Sequence, residues 1–179
     1  MVDGREDADL VDRCVRGDVE AFEPLVARYE RVLFNLALRM VGDPEDARDL
    51  AQTTFLKAYE KLGTYDPQHR FFSWIYRIAV NECLNFVSRR RPQQELDPGL
   101  RSADDPEGDA EASELGARIQ AGLVQLPTDL RLALVLRHFL ELSYAEMSTV
   151  LRVPEKTVKS RLHSARVRLG EILQRSLAT

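Results

Sequence analysis

The sequence predicts an all-α protein of two helical domains joined by a flexible acidic linker. Three observations carry this expectation. Apolar residues recur at steps of three and four with no competing β alternation, a charged stretch bearing Pro and Gly interrupts the pattern near residue 100, and the charge changes sign across that stretch. The 179 residues, 44% hydrophobic and carrying a net charge of −4, fit one or two small domains and exclude collagen-like or wholly disordered chains. No apolar run approaches the roughly 18 to 20 residues of a membrane span. The acidic start Met1–Leu10 also lacks the pattern of a secretory signal, so an intracellular protein is expected.

Taken in order, a first helix is expected over about Asp7–Arg16, ending at Gly17. A second follows Phe22, Leu25, Val26, Tyr29, Val32, Leu33, Leu36 and Met40 until Gly42-Asp43-Pro44 breaks it. Ala47, Leu50, Ala51, Thr54, Phe55, Ala58 and Leu62 mark a third, which stops at Gly63, and Phe71–Arg90 a fourth. These form a bundle over residues 1–92.

Residues 93–114 carry Arg101 against Glu95, Asp97, Asp104, Asp105, Glu107, Asp109, Glu111 and Glu114, with almost no large apolar side chains. Such a segment buries too little surface to offset the entropy of ordering and reads as a linker. Fully extended it would reach about 75 Å, enough for two modules to touch distant sites on one partner.

Residues 115–179 are net basic. Helices are expected near Ser113–Gln125, Thr128–Leu140, Ser143–Leu151 and Pro154–Leu173. Ser143 and Glu146 have the spacing of a capping box, Pro154 suits a first helical turn, and Leu151-Arg152-Val153 leaves room only for a tight turn. Two short helices so joined, the second basic, describe a helix-turn-helix.

Three faces are candidates for binding. On the last helix, Lys156, Lys159 and Ser160 suit base readout and Arg161, Arg166 and Arg168 suit phosphates, with Thr157 at a capping or phosphate position; a solvated basic face is the plainer alternative. On the fourth helix, Arg77, Asn81 and Asn85 recur every four residues, apart from a stripe that takes Trp74 into the core, and Ser88 leads into Arg89, Arg90 and Arg91. Amides and guanidinium groups so placed fit a single-strand or melted-DNA site. On the third helix, Asp46, Asp49, Gln52, Thr53, Leu56 and Lys57 lie outward, which suits a protein-binding face or a solvated one. One helix supplies neither converging metal ligands nor an acid-base pocket, and no nucleotide-binding glycine loop occurs, so neither metal nor acid-base chemistry is expected there and no cofactor is expected. Cys14 and Cys83 have no CxxC spacing and read as buried structural thiols.

The segments Asp46-Ala47-Arg48-Asp49-Leu50-Ala51-Gln52-Thr53-Thr54-Phe55, Phe71–Asn81, Ser143–Met147 and Val153–Leu162, in that order, resemble regions 2.2, 2.3 to 2.4 and 4.2 of the extracytoplasmic-function (group 4) bacterial sigma factors. The resemblance implies a non-enzymatic protein, monomeric when free, that lends promoter specificity to core RNA polymerase. It implies that Asp46, Asp49, Gln52, Thr53 and Leu56 dock on the clamp helices of the β′ subunit. The loop Gly63–Arg70, with Tyr65, His69 and Arg70, would capture a flipped base of the minus-ten element, and Arg77, Asn81, Asn85, Arg89 and Arg90 would hold the adjacent strand and duplex edge. Lys156, Thr157, Lys159, Ser160, Arg161 and Arg166 would enter the minus-thirty-five major groove while the preceding helices meet the β flap. An anti-sigma partner, bacterial cytoplasm and tethering to the inner membrane through that partner are further implications. Thr53 stands where the family often has Glu, and Arg152 where Gly is common; a left-handed Arg152 would cost roughly 1 kcal/mol. The rival readings are a stand-alone helix-turn-helix regulator, for which no dimer seam is evident, and a helical adaptor.

Overall fold

The computed structural model describes residues 4–90 and 110–177, and all regular structure among them is helical. Helices α1 (Gly4–Val15), α2 (Glu23–Val41), α3 (Pro44–Glu60) and α4 (Phe71–Arg90) form the first half, with single 3-10 turns at Val19–Phe22 and Leu62–Thr64. Helices α5 (Ala110–Gln125), α6 (Thr128–His138), α7 (Tyr144–Leu151) and α8 (Glu155–Leu177) form the second. The expected linker falls mostly outside the described residues; its last five residues, 110–114, belong to α5.

Local chemistry sets the boundaries. The turn between α2 and α3 needs Gly42, which adopts φ 84° and donates its N–H to the Leu38 carbonyl at 2.8 Å. Asp43 then caps α3, its carboxylate accepting from the Glu45 and Asp46 amides at 2.9 and 3.0 Å, ahead of Pro44 in the first turn. The expected capping box of α7 is present, with Ser143 and Glu146 exchanging bonds at 2.8 and 3.2 Å. Arg152 closes α7 at φ 54°, ψ 42°, the left-handed conformation that the tight turn demands.

In the first half Tyr29, Leu25, Leu33, Leu36 and Met40 of α2 meet Phe71 and Ile75 of α4, and Trp74 joins them, as the apolar stripe predicted. Helix α1 is pinned by a buried carboxylate: Asp7 accepts from Arg28 and from the Tyr29 hydroxyl. The second core contains Leu123, Val135, Leu136, Met147 and Leu162. Here α5 lies so close to α8 that a Cβ on Gly122 would sit 2.9 Å from Leu169 Cδ1.

The halves also pack on each other, α2 against α5 and α6, and α4 against α7. Polar groups reinforce the apolar contact. Gln120 of α5 accepts from Arg39 of α2 at 3.1 Å and donates to the Leu38 carbonyl at 3.0 Å. Arg39 also lies over the Phe139 ring, 4.6 Å from its centroid. The buried guanidinium of Arg131 donates to Met40 O at the end of α2 and to Leu126 O in its own half. Cys14 and Cys83 are buried and unpaired with each other, and burial pushes the Cys83 thiol up to about 12, which leaves it unreactive.

Candidate functional site

The three faces expected from sequence occupy three different places. On α3, Asp49, Gln52 and Leu56 are exposed, Leu56 at 67%. Thr53 is half-buried. Asp46 is not a free surface carboxylate: it faces α4, where Arg90 Nη1 lies 2.5 Å from its Oδ2. Lys57 likewise turns to Glu82 of α4 at 2.6 Å. Gln52 sits at the edge of a groove of about 430 Å³ between α2 and α3. Its apolar floor includes Val26, Phe34 and Phe55, and Glu30, Arg31 and Arg48 bring charges of both signs. The α2 side of this groove was missed in sequence. Its signal was there, because Ala27, Glu30, Arg31 and Phe34 recur at helical steps beside the apolar stripe.

The loop before α4 is tied to itself. The Tyr65 hydroxyl donates to the His69 carbonyl at 2.7 Å, while Asp66 Oδ1 accepts from the Gln68 amide at 2.9 Å. Tyr65 is half-buried, edge-on to Phe71 and Trp74 at 5.5 and 5.8 Å between centroids, so its ring supports the loop rather than offering a free stacking face. Asp66, Gln68 and His69 are exposed. Arg70 points toward the second half, 3.6 Å from Glu146 of the α7 capping box.

Along α4, Asn81, Asn85 and Arg89 are exposed, whereas Arg77 is half-buried in a cleft between the halves. Burial, followed by repulsion from Arg152, lowers the pKa of Arg77 from its ordinary value. Arg90 is committed to Asp46 and lies over the Phe86 ring at 5.2 Å.

On α8, Lys156, Lys159, Ser160, His163, Arg166 and Arg168 are exposed, as a basic outer face requires. Lys159 is 5.4 Å from the Tyr144 ring centroid, and Arg166 is 3.3 Å from His138 Nε2. Thr157 belongs to the helix start, its N–H donating to the Pro154 carbonyl at 2.9 Å. Arg161 departs from the expected face. The helix period turns it toward α6, where its Nε lies 3.5 Å from Asp129 Oδ2 and its side chain lines the same cleft as Arg77.

Among the described residues no group of three or more His, Cys, Asp or Glu converges as a metal site, and no helix is long and apolar enough to cross a membrane.

The family of Sigma-70 region 2 matches residues 25–93, and that of Sigma-70, region 4 matches residues 117–169. The RNA polymerase sigma-H factor of Pseudomonas aeruginosa is 37% identical over 97% of both chains. The ECF RNA polymerase sigma-E factor of Haemophilus influenzae is 34% identical over 97% of this chain and 98% of its own.

The chain belongs to the extracytoplasmic-function sigma factors of the sigma-70 family.

The structure of CnrH in complex with the cytosolic domain of CnrY superposes with a TM-score of 0.72 over 94% of this sigma factor and 97% of that chain, at 28% identity. Family membership fixes the broad activity: an alternative sigma factor, of a family of non-catalytic transcription initiation factors, that directs promoter-specific initiation by core RNA polymerase. The basic face of α8 is then the exposed helix of region 4, and the amides of α4 belong to region 2.

Proposed function

We propose that residues 1–92 bind core polymerase and open the minus-ten element, that residues 93–114 connect, and that residues 115–179 read the minus-thirty-five element. The observation that carries this division is the separation of the faces onto different elements: the α2/α3 groove edged by Gln52, the exposed amides Asn81 and Asn85 on α4, and the basic outer face of α8. A groove with an apolar floor and mixed charges suits a helical partner, here the β′ clamp helices, with Asp49, Gln52, Thr53 and Leu56 at the contact. Exposed amides on a rigid helix hold base edges of an opened strand, and His69 with Gln68 and Asp66 offers the polar rim for an extruded base. Lys156, Lys159 and Ser160 near the start of α8 reach bases, and Arg166 reaches phosphate. The β flap contacts the helices before α8.

An anti-sigma partner covers these faces until a signal removes it, and the protein works in the bacterial cytoplasm, held at the inner membrane only through that partner. The solved neighbour's complex with a cytosolic domain supports a partner of that kind.

The test is holoenzyme assembled from this chain and bacterial core polymerase on a promoter selected from genomic fragments. Asn81→Ala with Asn85→Ala is expected to leave promoter binding within about threefold while reducing strand opening, read by permanganate reactivity of unpaired thymines, at least tenfold, about 1.4 kcal/mol. Lys156→Ala with Lys159→Ala is expected to reduce binding first, by about 1–3 kcal/mol in all. Equal loss of binding and opening in both variants, or no transcription from the wild-type holoenzyme, overturns the division.

A further inference from the structure

The cleft between the halves has an unusual charge distribution. It encloses about 220 Å³ and is lined by Arg77 and Asn81 from α4 and by Arg152 and Arg161 from the second half. Asp129 lies in the same wall, and it is already matched by Arg161 at 3.5 Å. Arg77 and Arg152 have no ion pair with any described residue, and the charge of Arg152 raises the cost of the charge on Arg77. Arg152 is exposed, while Arg77 is half-buried over an apolar floor, Val80 and Leu132 among it, that reduces the solvent screening its charge.

Backbone conformation adds an independent observation. Arg152 occupies a left-handed position, φ 54°, where glycine would be unstrained. Arg152, like Glu141 at φ 55°, thus carries a long side chain in a conformation that favours glycine. The turn holds it where it lines the cleft with Arg77.

We propose that this cleft binds a small phosphate-bearing anion, held between Arg77 and Arg152 with Asn81 donating from its amide, and that the bound anion bridges the two halves. Guanidinium groups from two sides match the oxygens of a phosphate, and each charge-assisted bond outweighs a neutral one. The volume exceeds one phosphate group, at roughly 30 Å³ per displaced water, so a diphosphate fits. Resting on the strand-holding role that the family resemblance implies for Arg77, occupancy withholds that residue from the opened strand. The anion thus stabilises the packed arrangement by mass action and competes with holoenzyme function.

The full chain is titrated with pyrophosphate, inorganic phosphate and ADP by calorimetry at constant ionic strength, with chloride as control. Saturable binding of at least one phosphate probe and none of chloride is expected. Arg152→Gly, which relieves the turn, is expected to weaken binding about tenfold, while Arg152→Lys, which keeps both charge and strain, stays within about threefold. Comparable affinity for pyrophosphate and ADP assigns recognition to the phosphates alone; preference for ADP assigns a nucleotide source. Absence of saturable binding by every probe, or equal binding by wild type and Arg152→Gly, overturns the site. Because the readout is binding to the free chain, it fails separately from the promoter reading, which fails on transcription by the wild-type holoenzyme.

Discussion

Arg90, at the end of α4, reaches back to Asp46 in the first turn of α3, with Nη1 and Oδ2 2.5 Å apart across 44 residues of sequence. Both partners carry charges that the sequence assigned to different macromolecules, polymerase and DNA. Their pairing makes them a brace between two helices. Asp46→Asn is expected to lower stability by about 0.5–1 kcal/mol, the worth of a partly exposed pair, by urea denaturation. The same variant is expected to bind core polymerase as the wild type does, whereas Gln52→Ala weakens that binding, and fluorescence anisotropy separates the two.

Arg131 places a buried cation at the contact between halves and donates to the Met40 carbonyl. Arg131→Met leaves that carbonyl without its charged donor and is expected to weaken the packed arrangement by about 2–3 kcal/mol. Small-angle scattering then reports a larger radius of gyration for the variant, with unchanged helical circular dichroism. An unchanged radius would mean that the apolar contacts alone hold the halves.

Asp7 is 1% exposed and serves both Arg28 and the Tyr29 hydroxyl, the latter at 2.5 Å. Burial, followed by the bond to Asp7, raises the pKa of Tyr29 far above that of a free phenol. Asp7→Ala removes the acceptor and leaves both donors behind, at an expected cost of about 3 kcal/mol in urea. Asp7→Asn keeps an acceptor and costs less.

Acid acts through two groups with different causes. Burial, then Arg166 and Arg137, lowers the pKa of His138 from its ordinary 6.5. For Glu146 burial opposes the charge, but the Ser143 amide and hydroxyl and Arg70 outweigh it, holding the carboxyl below its ordinary 4.5. In both cases the unfolded chain takes up a proton before the folded one, so the stability contribution is present above the ordinary pKa and disappears as pH falls through the folded value. The urea midpoint is therefore expected to decline below pH 6.5 and again below 4.5. His138→Gln flattens the first decline relative to wild type, and Glu146→Gln the second.

Helix positions were legible because they depend on neighbours in sequence. The apolar period located α4 over Phe71–Arg90, Ser143 and Glu146 marked the start of α7, and the short run Leu151–Val153 marked the tight turn. The orientation of charged side chains was not. Arg161 belongs to the same basic run as Lys159, yet two residues along the helix turn it to Asp129. Asp46 has the composition of a surface residue until α4 is folded beside it. The packing of the two halves depends on tertiary contacts that no periodicity encodes, and the close approach at Gly122 shows only once Leu169 lies against it.

The loop before α4 keeps its shape through Tyr65, which is anchored on Phe71 and Trp74 and bonded to a backbone carbonyl, whereas Gln68 and His69 contribute exposed side chains. Support and display are thus assigned to different residues. On the proposed assignment of this loop to an extruded base, exchanges at positions 68 and 69 alter what is displayed without retuning the bundle that holds it.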